Sequence, residues 1–221
     1  HLGGMHHRSP FATCAVFFAS SLAAQGTIDL HAAVDRGTIQ VVGRELTLVD
    51  EPGHAGIRLS TDLGEGLAWL PGIDFANGVI ELDVRGVNVE QHSFVGIAFH
   101  AANDTTFDAI YLRPFQFLKK DPVLHARSIQ YIALPTYSWR RLRATDPGVY
   151  EHAIDPPPDP NGWVHMRVVV DGDTIRTTIN GAAQPALVVR KLPTQRTGRV
   201  GFYVADTSGG EFANIVIVPA K

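Results

Sequence analysis

The strongest constraint on the fold is a pair of apolar segments whose side chains alternate in register. The segments cover residues 94–100 and 107–115, and Asn103-Asp104 lies in the connection between them. Side chains alternate across a β-strand, and Asn and Asp tolerate turn conformations. Pairing the two segments as a hairpin places Ile97 opposite Ile110 on one continuous apolar face. The sequence therefore predicts a β-hairpin with one face packed on a hydrophobic core.

The second face of this hairpin carries polar groups beside small residues. Gly96 falls opposite Tyr111, Phe94 falls opposite Arg113, and His100 lies at the end of the same face. A tyrosine ring can stack on the apolar face of a sugar, and an arginine can donate hydrogen bonds to hydroxyl groups. This face is predicted to bind carbohydrate. The alternative is an ordinary sheet face that a loop of the same chain covers.

Strand-like runs with alternating polarity fill most of the remaining chain. In 79–85 the aliphatic residues point to one side and the charged residues to the other, which is typical of a half-buried antiparallel strand. Residues 38–42 and 45–49 are separated by two residues and predict a compact hairpin. Further predicted strands cover 55–60, 66–70, 128–134, 149–154, 163–170, 174–179, 185–189, 199–205 and 212–218. This pattern, without an amphipathic helix of three turns, predicts an all-β fold, a two-sheet antiparallel jelly-roll sandwich.

Composition favours one domain and excludes one class of partner. The chain has 221 residues, of which 45% are hydrophobic and 19% are charged. This length and composition fit a single domain with a substantial core, which we predict to cover residues 26–221. The formal net charge is −3. Because non-specific nucleic-acid binding requires a basic surface, a nucleic-acid partner is not expected.

The first 25 residues are predicted to be a signal peptide with some residues upstream of it. A basic start at 5–8 precedes the apolar run 11–22, and small residues follow that run. The run is too short for a membrane-spanning helix, so no membrane span is expected and the protein is predicted to be secreted or periplasmic. The only cysteine, Cys14, lies inside this run. The mature chain would therefore have no thiolate for a metal site.

Six short motifs follow one another along the chain. They are FANGVIE at 75–81, FDAIYLRP at 107–114, NGWVHMRVVVDG at 161–172, ING at 179–181, GRVGFY at 198–203 and FANIVI at 212–217. Their order resembles the concanavalin A-like lectin/glucanase superfamily, and in particular laminin G-like domains and the bacterial 3-keto-disaccharide hydrolase-like (family 16 glycoside hydrolase-like) domain. The resemblance implies a concanavalin A-like jelly roll whose concave sheet binds carbohydrate, so that the protein would be a lectin-like module.

There are two alternatives to a lectin-like module. The resemblance implies a glycoside-cleaving hydrolase or lyase on the same fold, and a Tyr111 face filled by its own loop would indicate a non-catalytic structural or adhesion module. Retaining glycosidases use two carboxylates about 5 Å apart. Family 16 enzymes carry them on one strand as Glu-x-Asp-x-Glu, whereas this chain has Glu81, Asp83 and Arg85. An arginine cannot deliver a proton at neutral pH. The pattern therefore favours binding over cleavage, and no catalytic residue is assigned.

The aromatic and basic stretch 135–148 is predicted either to complete a groove over the hairpin or to fill it. The predicted ligand-binding residues are His100, Tyr111, Arg113, Gln130, Tyr131, Trp139 and Arg143. No pattern in the sequence requires a cofactor. A structural calcium ion is one option that the resemblance implies, held by Asn103 with Asp104 or by Asp206 with Glu211. The alternative is that these residues simply form turns.

Overall fold

A computed structural model describes residues 27–220 of the chain. The strands are β1 (Gln40–Val42), β2 (Leu46–Glu51), β3 (His54–Leu59), β4 (Gly66–Trp69), β5 (Gly78–Arg85), β6 (Val95–Asn103), β7 (Thr106–Leu112), β8 (Ile129–Leu134), β9 (Glu151–His152), β10 (Val164–Asp171), β11 (Thr174–Ile179), β12 (Leu187–Arg190), β13 (Arg199–Val204) and β14 (Gly210–Pro219). The helices are α1 (Leu30–Asp35), α2 (Pro122–His125) and α3 (Trp139–Thr145), and a 3₁₀ turn covers Pro114–Gln116. The predicted signal segment lies outside the described residues.

The strands form two antiparallel sheets of seven strands each. The front sheet has the order β1-β4-β13-β6-β7-β8-β9, and the back sheet has the order β12-β11-β10-β5-β14-β3-β2. This arrangement confirms the predicted two-sheet jelly-roll sandwich. Within residues 27–220, no helix is both long enough and apolar enough to cross a membrane.

The core lies between the two sheets and follows from strand alternation. In β5, Ile80, Leu82 and Val84 are buried, while the charged residues between them face away from the core. Phe202 of β13 stacks on Phe212 of β14 with ring centroids 4.6 Å apart, and this contact joins the two sheets. Burying a side chain of this size contributes about 1.5–3 kcal/mol. The apolar face of each strand therefore holds the sandwich together.

The hairpin of β6 and β7 has the predicted register over most of its length. Gly96 pairs with Tyr111 as expected. Beyond Phe99 the register shifts, and His100 has a φ of 52°. Such a bulge adds a residue to one strand and interrupts the alternation of side chains. The register predicted for the hairpin, continued from Ile97 and Ile110, would pair His100 with Phe107, and this part of the prediction is wrong. Alternation along the strand therefore does not determine where the His100 side chain lies.

The predicted hairpin of residues 38–42 and 45–49 is also wrong. β1 pairs with β4 in the front sheet, whereas β2 pairs with β3 in the back sheet. The connection between them turns at Gly43, which has a φ of 63°. Arg44 then donates hydrogen bonds to the carbonyl oxygens of Gly64, Ala205 and Ser208. The short connection from β1 to β2 therefore passes from the front sheet to the back sheet, and the bonds from Arg44 to Ala205 and Ser208 hold it in place.

The aromatic and basic stretch 135–148 contains a short helix, α3. The Ser138 side chain caps this helix by accepting a hydrogen bond from the backbone N–H of Arg141 at 3.4 Å. Leu142 is buried on its inner side. With seven residues, α3 is short, and its packing on the protein stabilises it more than intrinsic helix propensity does.

Candidate functional site

A cleft of about 490 Å³ opens on the face of the front sheet that points away from the back sheet. This volume lies in the range that small-molecule sites occupy. Strands β7, β8 and β13 supply the floor, helix α3 supplies one wall, and loops supply the ends. The lining residues are Glu65, Gln91, His92, Phe94, Tyr111, Arg113, Gln116, Arg127, Ile132, Leu134, Ser138, Trp139, Arg143, Tyr203, Ala205, Asp206 and Thr207.

Two tyrosines meet on the floor of the cleft. Gly96 of β6 pairs with Tyr203 of β13 on one side and with Tyr111 of β7 on the other. The two ring centroids are 5.8 Å apart. A Cβ atom at Gly96 would lie 2.0 Å from the Ile110 carbonyl oxygen, so the strand spacing here requires glycine. Burial raises the pKa of both phenols, which therefore stay protonated at neutral pH and act as neutral hydrogen-bonding groups.

Arg113 lies at one end of the cleft together with Arg127 and Arg143, and we call this the basic end. Its Nη2 donates to the Tyr111 hydroxyl at 2.9 Å and to Gln130 Oε1 at 2.6 Å. Its Nη1 donates to the carbonyl oxygen of Arg127 at 2.8 Å. Burial lowers the pKa of this guanidinium, but arginine stays charged at neutral pH. Because its donors already have partners, Arg113 positions Tyr111 and Gln130 and offers few free N–H groups to a ligand.

Glu151 of β9 ties helix α3 to the front sheet. Arg143 donates to both carboxylate oxygens of Glu151, at 2.8 and 2.6 Å, and Arg113 lies 3.5 Å from the same carboxylate. The hydrogen bonds to Glu151 raise the pKa of Arg143. Trp139, at the start of the same helix, is 40% exposed and lines the cleft. The stretch 135–148 therefore forms a wall of the cleft and leaves the cleft open.

Glu65 and Asp206 line the opposite, acidic end. Glu65 Oε2 accepts a hydrogen bond from the Tyr203 hydroxyl at 2.5 Å, and Asp206 Oδ1 accepts one from the backbone N–H of Gly64 at 2.8 Å. Glu65 as a whole residue is exposed, but its carboxyl group lies against the buried phenol. Burial of that group raises its pKa. A carboxyl group of this kind exchanges protons closer to neutral pH than an ordinary glutamate does.

Four of the seven predicted site residues line the cleft, and they are Tyr111, Arg113, Trp139 and Arg143. Gln130 is buried beside them and bonded to Arg113. Tyr131 lies in the core between the sheets, where its hydroxyl accepts a hydrogen bond from the Leu192 backbone N–H, because neighbours in a strand face opposite sides. His100 is buried and lies 3.0 Å from an Asp108 carboxylate oxygen. Tyr131 and His100 are therefore outside the cleft.

The sequence did not identify Glu65, Gln116, Arg127 or Tyr203 as site residues. The position of Tyr203 on the cleft floor can be derived from strand alternation once β13 is known to pair with β6, because Tyr203 then lies opposite Gly96. The other three lie in connections between strands. No local pattern marks them, since distant parts of the chain bring them together.

The two proposed calcium positions have other partners. Asp104 Oδ1 accepts hydrogen bonds from the Trp69 indole N–H at 2.8 Å and from Arg199 at 2.9 Å. Glu211 is paired with two arginines on the back sheet, whereas Asp206 lies at the cleft. Across residues 27–220, no group of three or more His, Cys, Asp or Glu side chains is arranged to hold a metal ion. The geometry gives no support to either calcium pair.

The strand that resembles the family 16 catalytic pattern lies away from the cleft. Glu81, Asp83 and Arg85 belong to β5 of the back sheet and face away from the core. Arg85 donates to Glu51 at 2.7 Å and to Glu211 at 2.5 Å. The pattern is therefore part of an ion-pair network on the opposite side of the sandwich.

Comparisons with known proteins identify the fold. No family model and no curated protein sequence matches the chain. The chain is similar to the carbohydrate-binding module CBM66 from Bacillus subtilis, with a TM-score of 0.59, 13% sequence identity and coverage of 80% of this chain and 93% of that one. It is also similar to a Bacillus subtilis protein of unknown function with a galectin-like fold, with a TM-score of 0.55, 14% identity and coverage of 88% and 96%. The sheet order and these likenesses show that the chain has the concanavalin A-like jelly-roll sandwich fold.

Proposed function

We propose that this chain binds a short carbohydrate in the cleft on the front sheet. The observation that carries the proposal is the convergence of two tyrosines, one exposed tryptophan and groups of both charges on a single cavity of about 490 Å³. Sugars present apolar ring faces and many hydroxyl groups, and such a cavity complements both. The similar CBM66 structure is described as a carbohydrate-binding module, which supports the same class of ligand.

The free hydrogen-bonding capacity of the cleft suits hydroxyl groups. Arg143 uses Nε and Nη2 for Glu151, which leaves Nη1 for a ligand. The Tyr111 hydroxyl accepts a bond from Arg113 and keeps its own proton for a ligand oxygen. Trp139 adds exposed apolar surface on the wall, where a sugar ring can stack.

Secretion or export to the periplasm is part of this proposal. It rests on the basic start and apolar run within residues 1–25, which lie outside the described structure. A signal peptide would direct a carbohydrate-binding module out of the cytoplasm, where extracellular glycans are met. Expression of the full chain in a bacterial host, followed by N-terminal sequencing of the exported protein, tests the expected cleavage.

The binding proposal is tested by titrating the protein with a panel of neutral and acidic oligosaccharides, using calorimetry and tryptophan fluorescence. Trp139→Ala is expected to weaken binding about 10-fold, or about 1.4 kcal/mol, because it removes the exposed aromatic surface. The matched control is Trp163→Phe, since Trp163 lies on the back sheet between His54 and Arg85, with its indole N–H bonded to Glu51.

The control is expected to bind as the wild type does. Equal affinities of the wild type and Trp139→Ala would place binding elsewhere and refute this cleft as the site. Absence of binding to every sugar in the panel would instead favour the structural or adhesion module.

A second candidate function is cleavage of a glycoside, and one specific observation favours it. Glu65 is a carboxyl group with a raised pKa at the end of the cleft, and general acids are tuned in this way. The test is the release of reducing ends from the oligosaccharides that bind. Release by the wild type that is lost in Glu65→Gln would support catalysis, and binding without release would support a pure binding module.

A further inference from the structure

The basic end of the cleft holds more positive charge than its own carboxylates neutralise. Arg113, Arg127 and Arg143 line this end. Among the described residues, Glu151 is the one carboxylate within ion-pair distance of these guanidinium groups, and Arg113 and Arg143 share it. One negative charge therefore faces three positive charges. Guanidinium groups that are partly removed from water favour an anionic partner.

Of the three arginines at this end, Arg127 is the one whose guanidinium has no partner among the described residues. Its backbone carbonyl oxygen accepts the bond from Arg113, but its guanidinium makes no hydrogen bond or ion pair with any residue between 27 and 220. The residue is half-buried and lines the cleft. The bond from Arg113 to its backbone carbonyl oxygen holds Arg127 at the wall of the cleft, within reach of a bound ligand.

Gln116 supplies a second, independent observation at the same end. The residue is 3% exposed and lines the cleft, yet its Oε1 atom is buried without a hydrogen-bond donor among the described residues. A buried acceptor left without a partner costs about 1–3 kcal/mol. A ligand hydroxyl group that donates to this atom offsets that cost.

We propose that the ligand carries a carboxylate, as a uronic acid does, and that this carboxylate binds Arg127 while a neighbouring hydroxyl group donates to Gln116. The proposal rests on the carbohydrate-binding function argued above and adds the chemical class of the sugar. The flat, forked guanidinium matches the two oxygens of a carboxylate, whereas a neutral hydroxymethyl group leaves its charge unpaired.

The opposite end of the cleft sets the direction of the ligand. Glu65 and Asp206 place carboxyl groups there, and like charges repel a second anion. The acidic ring of the ligand therefore lies toward Arg127. Hydroxyl groups of the next ring lie toward Glu65 and Asp206, which accept hydrogen bonds from them.

The first test compares ligands that differ only in charge and uses the wild-type protein. Trimers of galacturonate, mannuronate and glucuronate are titrated by calorimetry beside their methyl esters. At least one free acid is expected to bind about 10-fold more tightly than its ester, and the difference is expected to shrink as salt rises from 50 to about 500 mM. This comparison needs no variant, so it holds whether or not a substitution folds.

The second test assigns the preference to Arg127. Arg127→Gln is expected to bind acid and ester with equal affinity. The matched control is Arg176→Gln, which makes the same change in net charge at an exposed position on β11 of the back sheet, and it is expected to keep the acid preference. An acid preference that survives in Arg127→Gln would overturn the assignment.

The outcomes also separate this inference from the proposed function. Tighter binding of neutral sugars than of the acids, or equal binding of acid and ester in the wild type, would overturn the uronate proposal and leave carbohydrate binding standing. Absence of binding to any sugar would overturn both.

Discussion

Replacing Glu151 with glutamine tests whether the ion pairs at the cleft wall stabilise the protein. The Glu151 side chain is 8% exposed and the Arg113 side chain is 4% exposed. Glu151→Gln keeps the shape of the side chain but removes the negative charge that faces Arg113 and Arg143. Removing one partner from a buried ion pair costs about 3–5 kcal/mol, because the remaining charge is left uncompensated. Since the Arg143 side chain is 25% exposed, we expect the lower end, about 3 kcal/mol.

The assay is urea denaturation followed by tryptophan fluorescence at pH 7, with thermal unfolding beside it. For a domain of this size, about 3 kcal/mol corresponds to a fall in Tm of roughly 6–12 °C. The matched control is Glu81→Gln. Glu81 pairs with Arg167 on the back sheet with both side chains about a third or more exposed, so its loss is expected to cost less than about 1 kcal/mol.

A second measurement isolates the pair itself. In a double-mutant cycle of Glu151→Gln and Arg143→Gln, we expect a coupling energy of about 1–3 kcal/mol. A Glu151→Gln variant no less stable than the Glu81→Gln control would refute the argument that Glu151 is the essential counter-charge at this wall.

Two further predictions concern the back sheet and the floor of the cleft. Burial raises the pKa of the Asp83 carboxyl, but hydrogen bonds from His165 and Asn214 outweigh burial and lower it, while the bond to Asp83 raises the pKa of His165 above its usual 6.5. The stabilisation from His165 is therefore complete below about pH 6.5 and is lost as pH rises through its folded-state pKa, so His165→Gln should lower the Tm more at pH 5.5 than at pH 8.5. The side chain is 41% exposed, so this difference stays below about 1 kcal/mol, and an equal loss at both pH values would contradict it. Gly96→Ala should destabilise by about 3 kcal/mol, because the new Cβ meets the Ile110 carbonyl oxygen, and a wild-type urea midpoint would refute this.

Features that depend on strand alternation could be predicted from the sequence. The position of Gly96 opposite Tyr111 and the inward side of β5 follow from a period of two residues. A slip of one residue would turn every apolar side chain toward solvent, so the pattern itself determines the register. The same rule, applied to Gln130 and Tyr131 together, excludes one of them from the cleft, because neighbours in a strand point to opposite faces.

Features that depend on contacts between distant parts of the chain could not be predicted. Residues 43–44 look like a hairpin turn, yet Arg44 is bound by carbonyl groups more than a hundred residues away and the chain crosses to the other sheet. The bulge at His100 could not be predicted from the local sequence, because the φ of 52° at this residue depends on how β6 pairs with its neighbouring strands. Local sequence therefore specified the strands better than their connections.

The floor of the cleft belongs to the features that strand alternation determines, and the ends of the cleft belong to those that distant contacts determine. This difference matters for the proposed function. Strand pairing determines the floor, where Gly96 allows Tyr111 and Tyr203 to meet, and an aromatic floor of this kind suits any sugar ring. Connections determine the ends, where Gln116 and Arg127 lie beyond β7. Charged and amide groups discriminate between ligands more sharply than apolar surface does, since a wrong ligand leaves them unpaired. In the proposed function, the floor would therefore account for binding sugars as a class, and the choice among sugars would fall to the connections that the strand pattern does not predict.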